Sequence, residues 1–271
     1  MQTLIAVDLS APYHEWVVER AIPLATVAGG RVDVGHVGED TQPTRSRLNT
    51  LLRLIPERIR GEVRIEPGPI AERLLSWSKE LDLLILGPRE PSAIERVLRG
   101  SVVLKVLRAT ACPVIIPRKP YHEDASWRVL VGVDLQGKFP KQVIEMASTW
   151  AARFGGRLDA VYAIHDPLPA IGDPELRARA HREWVAAREP ERSALQALLQ
   201  ASCVDGTCGQ AVVAHGEPED ALGELSSSYD VVVVGNRNRE GLTRFLYGAV
   251  SQNISWKAHC DVLTLPTANL E

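Results

Sequence analysis

The sequence contains a tandem repeat that runs in two registers, and this constrains the fold more than any other feature. LIAVDLS (residues 4–10) returns as VLVGVDLQ (residues 129–136), so that Asp8 matches Asp134 at an offset of 126. GGRVD (residues 29–33) returns as GGRLD (residues 155–159) at the same offset. Later in each copy the offset becomes 148: DLLILG (residues 82–87) matches DVVVVG (residues 230–235). Gly68 and Gly216, Arg89 and Arg237, Arg96 and Arg244, Gly100 and Gly248, and Cys112 and Cys260 keep that second register. One shift of 22 residues between two constant registers marks a duplication whose second copy carries an insertion. The polar stretch PRKPYHEDAS (residues 117–126), with its two prolines, marks the seam. Domain 1 is expected at 1–120 and domain 2 at 127–271, with an inserted helical segment at about 166–200.

Each copy alternates strands and helices. In copy one, strands are expected at 4–7, 31–37, 62–66, 83–86 and 114–116, with helices at 12–28, 43–59, 69–80 and 101–108 between them. Short apolar runs without alternation, LLIL and VVVV, suit strands buried on both faces of a parallel sheet. The expectation is α/β: two tandem doubly wound domains, each a five-stranded parallel sheet in the order 3-2-1-4-5 with helices on both faces. In the insertion, Asp173-Pro174-Glu175 is a helix start, and a long helix interrupted near Pro190 is expected. It reads as a solvated or domain-packing helix, with a specific docking surface as the alternative.

In such a sheet, ligands gather outside the carboxyl ends of the strands where the winding reverses. Gly235 ends the fourth strand of copy two and Asp134 ends the first, so the loop after Gly235 opens beside Asp134. The helix starting near Gly248 turns its N-terminus to the same crevice, where free N–H groups favour an anion.

Here the chain resembles a known family. IAVDLS and VGVDLQ at the first strands, with GPREPSAIERVLRGSVVLKVLRATACPVIIP and GNRNREGLTRFLYGAVSQNISWKAHCDVLTLP at the ends of the copies, are similar to the universal stress protein family in a tandem arrangement. ATP-binding members carry G-x2-G-x9-G-[ST] after the fourth strand. Copy one reads Gly87-Pro88-Arg89-Glu90, nine residues, then Gly100-Ser101. Glu90 stands where the second glycine should let backbone approach phosphate, and Pro88 and Pro91 each lack an N–H, so domain 1 is expected to be empty of nucleotide. Copy two reads Gly235-Asn236-Arg237-Asn238, nine residues, then Gly248-Ala249-Val250-Ser251. Asn238 tolerates positive φ, Ala249 keeps its N–H, Ser251 supplies a hydroxyl on the first helical turn, and Arg237 can face phosphate. The stretch is either a phosphate cradle or an inherited strand-to-helix connection. The resemblance further implies Asp134 at the adenosine part of the ligand and Ala163 offering backbone to adenine, with Asp8 the weaker counterpart in domain 1.

The resemblance thus implies a cytoplasmic stress-response sensor or signalling module binding ATP or another adenine nucleotide, with Mg²⁺ as companion. The alternative is an interaction scaffold or apolar-ligand binder without nucleotide. The two domains are expected to pack on each other as separate subunits do, and a homodimer stays open. No G-x-x-x-x-G-K-[ST] occurs and no Ser, Cys or carboxylate stands at motif spacing from His36, His165 or His215, so an enzyme is not expected. A formal net charge of −3 argues against nucleic acid as a partner. No run of about 18 apolar residues suggests a membrane span, and MQTLIAVDLS does not read as a secretory signal. Four cysteines make no disulfide scaffold, which fits a reducing cytoplasm. Cys203 and Cys208 flank a turn and could oxidise or share a metal, but no second pair at metal spacing appears. Cys112 and Cys260, like Trp16, Trp77, Trp150 and Trp256, read as packing residues.

Overall fold

The computed structural model describes residues 1–9, 14–28, 30–87, 102–118, 127–165, 173–236, 253–255 and 257–267. The first half runs β1 (Gln2–Ala6), α1 (His14–Ala28), β2 (Arg31–Val37), α2 (Gln42–Leu54), β3 (Arg60–Glu66), α3 (Ile70–Ser78), β4 (Leu83–Leu86), α4 (Val102–Ala109) and β5 (Val114–Ile116). The second runs β6 (Arg128–Gly132), α5 (Pro140–Arg153), β7 (Arg157–Ile164), α6 (Pro174–Ala187), α7 (Glu189–Ser202), β8 (Cys208–His215), α8 (Pro218–Leu225), β9 (Val231–Asn236) and β10 (Asp261–Pro266).

Each half is a parallel sheet in the order 3-2-1-4-5. The halves do more than pack on each other: β5 pairs antiparallel with β10, Ile115 opposite Leu263, which makes one ten-stranded sheet. On one face a single core runs through both halves, from Ile5, Val34 and Ile85 to Val131, Val231 and Leu263. On the other face the core is in two parts, one around Leu4, Trp77 and Leu84, the other around Leu130, Leu222 and Val232. Trp77 and Trp150 are buried and Trp16 packs against the core, as do Cys112 and Cys260, while Trp256 lies outside the described residues.

Both registers of the repeat reappear as hydrogen bonds. Arg31 N–H donates to the Met1 carbonyl at 3.0 Å, and Arg157 N–H to the Trp127 carbonyl at 2.9 Å. In the later register, Ala111 N–H donates to Ser78 Oγ at 3.1 Å and His259 N–H to Ser226 Oγ at 2.8 Å. One pair spans the shift: Asp33 Oδ1 accepts Glu62 N–H at 2.9 Å and Asp159 Oδ1 accepts Gln210 N–H at 2.7 Å.

α2 departs furthest from its expected limits, and the inserted run breaks close to the expected interruption. α2 ends at Leu54 and not at Ile59, because Pro56 drives Ile55 into extended backbone (ψ 129°). The helical run from Asp173 is two helices, with Arg188 between them and Pro190 in the first turn of α7. Asp173 caps α6, its Oδ1 accepting Glu175 N–H at 2.8 Å. α7 lies against β7 and β8 as α2 lies against β2 and β3, whereas α6 has no counterpart among the described residues of the first half. α6 is exposed along its length except at Ala180 and Trp184, and Trp184 meets the His215 ring edge-on at 5.2 Å between centroids.

Candidate functional site

β6 and β9 are neighbours, Val131 beside Val233, and the winding reverses between them, with β7 on the far side of β6 and β10 on the far side of β9. Between their carboxyl ends lies an open cleft of about 90 Å³, lined by Gly132, Asp134, Phe139, Val143, Gly235 and Thr267 among others. Asp134 and Gly235, two of the residues expected at the site, thus share one cleft. A Cβ on Gly235 would come within 3.2 Å of Thr267 Cγ2 and 3.3 Å of Val143 Cγ2, so a side chain there would press on the cleft wall. A hydrogen bond from Thr267 Oγ1 to the Asn236 carbonyl ties the end of β9 to the residue after β10.

Asp134 is exposed and its Oδ1 accepts Gln136 N–H at 3.1 Å, while its carbonyl accepts Gly137 N–H at 2.9 Å. The carboxylate therefore holds its own turn at the rim of the cleft. The Tyr162 phenol is raised above its ordinary value, first by burial and then by the charge of Asp134 and Glu191. Ala163 stands one strand away, two residues beyond Val161, whose carbonyl accepts Val133 N–H at 2.8 Å. Arg237, Asn238, Gly248, Ala249, Val250 and Ser251 lie outside the described residues. So do Gly100 and Ser101 of the first half, where Asp8 lies two residues beyond β1 and Gly87 one residue beyond β4.

Phe139, Val143 and Thr267 are among the cleft residues that escaped the sequence reading. Phe139 precedes α5, with Pro140 in the first turn and the Lys138 ammonium 4.9 Å above its ring. The available signal was the turn GKFP directly after the first strand of copy two. Thr267 carries no periodic signal, since it enters the cleft only through the pairing of β10 with β9.

The histidines take structural partners. His36 Nδ1 lies 2.9 Å from the Val7 carbonyl and His165 Nδ1 3.0 Å from Glu217 Oε1. The Cys203 thiol is pushed up to about 11 by burial and by its neighbour Cys208. Among the described residues, no group of three or more His, Cys, Asp or Glu is placed to hold a metal ion. Among them also, no helix is long and apolar enough to cross a membrane.

The chain matches the Universal stress protein family over residues 44–118 and again over 127–266. A universal stress protein of Mycobacterium tuberculosis is 31% identical over 200 residues, 70% of this chain and 63% of that protein. One from Mycolicibacterium smegmatis is 27% identical over 215 residues, 76% of this chain and 68% of that one. The match thus spans less than two thirds of the first of these relatives. The crystal structure of a universal stress protein from Archaeoglobus fulgidus superposes with a TM-score of 0.64 at 18% identity, covering 100% of this chain and 97% of that one. A functionally unknown protein from Pseudomonas aeruginosa superposes at 0.70 with 17% identity, covering 98% and 92%.

Proposed function

Because the chain belongs to the universal stress protein family, we propose that it is a nucleotide-binding sensor or signalling module, with ATP or a related adenine nucleotide held by its second half. The observation that carries this is the cleft shared by Asp134 and Gly235 at the point where the windings of β6 and β9 diverge. In this reading the phosphates, with Mg²⁺, meet Arg237, Asn238 and the N–H groups of Gly248, Ala249 and Val250, with the Ser251 hydroxyl beside them. Asp134 faces the sugar and the backbone of Ala163 faces the base. The first half stays empty, because Glu90 repels phosphate and Pro88 and Pro91 lack N–H donors. We take residues 1–120 and 127–271 as the domains, and the cytoplasm as the compartment. The module signals by occupancy and not by turnover, in keeping with a sequence that carries no catalytic motif.

A second reading has one observation in its favour: Phe139, Pro140 and Val143 give the cleft an apolar wall. In that reading it takes an apolar ligand, or the chain is an interaction scaffold without nucleotide.

Mass spectrometry of ligand released from freshly purified protein, with ATP titration calorimetry, separates the two. Released ATP, ADP or AMP, and binding heat lost in Asn238→Glu, supports the first reading. No released nucleotide and no heat rejects it. Loss of binding only on changing Asp8 or Ser101 moves the site to the first half.

A further inference from the structure

β8 is one end of the ten-stranded sheet, so the side of its backbone turned away from β7 meets no strand among the described residues. At two of those backbone groups the side chain of Gln196, on α7, stands in for one. Ala211 N–H donates to Gln196 Oε1 at 2.8 Å, and Gln196 Nε2 donates to the Gly209 carbonyl at 3.3 Å. One planar amide thus offers an acceptor and a donor to alternate residues of the strand, as the backbone of an added strand would.

The duplication supplies an internal control. The opposite end of the sheet is β3, where Gly61 and Val63 match Gly209 and Ala211. β3 reads RGEVRIE, with Arg60, Glu62, Arg64 and Glu66 giving a charge at every second position. Charges along an edge strand oppose the approach of another strand. β8 reads CGQAVVAH, with no Asp, Glu, Lys or Arg. One edge is protected by its own charges, and the other borrows the amide of Gln196.

We propose that β8 is a strand-pairing edge fitted to β8 of a second copy of this chain, and that Gln196 gates it. The molecule already extends its sheet this way: β5 and β10, the matching last strands of the two halves, pair antiparallel. An antiparallel β8–β8 pair would repeat that joint between chains about a two-fold axis.

The test is gel filtration with light scattering over a wide concentration range, on the full chain. Gln196→Ala is expected to shift from the wild-type mass to twice that mass as concentration rises. Gln196→Glu, which keeps an acceptor for Ala211 and brings charge to the edge, is expected to stay at the wild-type mass. Adding Gln210→Lys, at an exposed position of β8, to Gln196→Ala is expected to return it to the wild-type mass. The proposal is overturned if folded Gln196→Ala keeps the wild-type mass throughout. It is equally overturned if the double variant associates as Gln196→Ala does, or if the mass climbs past the doubled value. Should Gln196→Ala fail to fold, Gln196→Met keeps the aliphatic stem and is read by the same outcomes.

Discussion

Arg20, on α1 in the first half, donates from Nε to Asp261 Oδ2 at 2.7 Å, across the boundary between the two halves. Both side chains are buried, at 6% and 1% exposure, and the guanidinium also lies 4.6 Å over the Trp127 ring. The other carboxylate oxygen of Asp261 accepts the N–H of Arg118, two residues beyond the end of the β5–β10 joint, at 2.8 Å. Burial lowers the Arg118 guanidinium, and the charge of Asp261 opposes that shift.

Removing one partner of such a pair leaves the other charge buried and uncompensated. Asp261→Ala is therefore expected to lower stability by about 3–5 kcal/mol. Arg20→Ala should fall in a similar range, and the double variant should lose less than the sum, because the two changes break one contact. Denaturant titration measures all three. A loss under about 1 kcal/mol in Asp261→Ala would mean that the joint does not depend on this ion pair.

The paired glycines before β7 act by different means, and substitution separates them. Gly155 has φ +63° with open space around it, so Gly155→Ala meets only the left-handed backbone penalty, about 1–2 kcal/mol. A Cβ on Gly156 would lie 2.3 Å from the Trp127 carbonyl oxygen, which accepts Arg157 N–H. Gly156→Ala must push β7 from β6 and should be the more destabilising of the two by thermal melting. Gly155→Asn should recover most of what Gly155→Ala loses, since Asn tolerates this region.

These glycines also mark how far the sequence could be read. The matched GG pairs, the VVVV and LLIL runs and the two offsets sufficed for strand order, because the central strands bury both faces and each copy confirms the other. The β5–β10 joint was not legible: edge pairing adds backbone bonds between residues far apart and leaves no period in the sequence. Gln196 carries no sequence signal of its own, since its role depends on which strand ends the sheet. At the cleft, Asp134 and Gly235 were legible from their places at strand ends, while Thr267 arrives only through tertiary pairing.

Stability should fall on the alkaline side in two steps. Burial holds the Cys112 thiol up at about 11 from an ordinary 9.0, and burial with Cys208 does the same for Cys203. Burial and the hydrogen bond to Asp159 hold the Tyr229 phenol at about 12 from an ordinary 10.0. Each group stays protonated in the folded chain at a pH where the unfolded chain has lost the proton. Their contributions are therefore complete below the unfolded values and disappear between pH 9 and 11 for the thiols and between pH 10 and 12 for Tyr229. Denaturant midpoints measured across this range should decline, and Tyr229→Phe should flatten the upper step. If tyrosinate absorbance shows every tyrosine of the folded chain titrating near 10, the Asp159–Tyr229 contact does not hold in solution.

At the cleft, the two roles open to Asp134 diverge on one substitution. Its Oδ1 accepts Gln136 N–H, and the amide of Asp134→Asn can accept the same bond, so the turn and the stability should hold to within about 0.5 kcal/mol. What the amide cannot supply is the charge that strengthens a hydrogen bond to a ligand hydroxyl. If an adenine nucleotide sits here, Asp134→Asn should weaken its binding about tenfold, equivalent to about 1.4 kcal/mol, with melting temperature unchanged. Phe139→Ala should then weaken binding further by removing the apolar wall beside it. Nucleotide affinity untouched by Asp134→Asn would leave this carboxylate as the holder of its own turn. An apolar ligand lost only in Phe139→Ala would assign the cleft to the second reading.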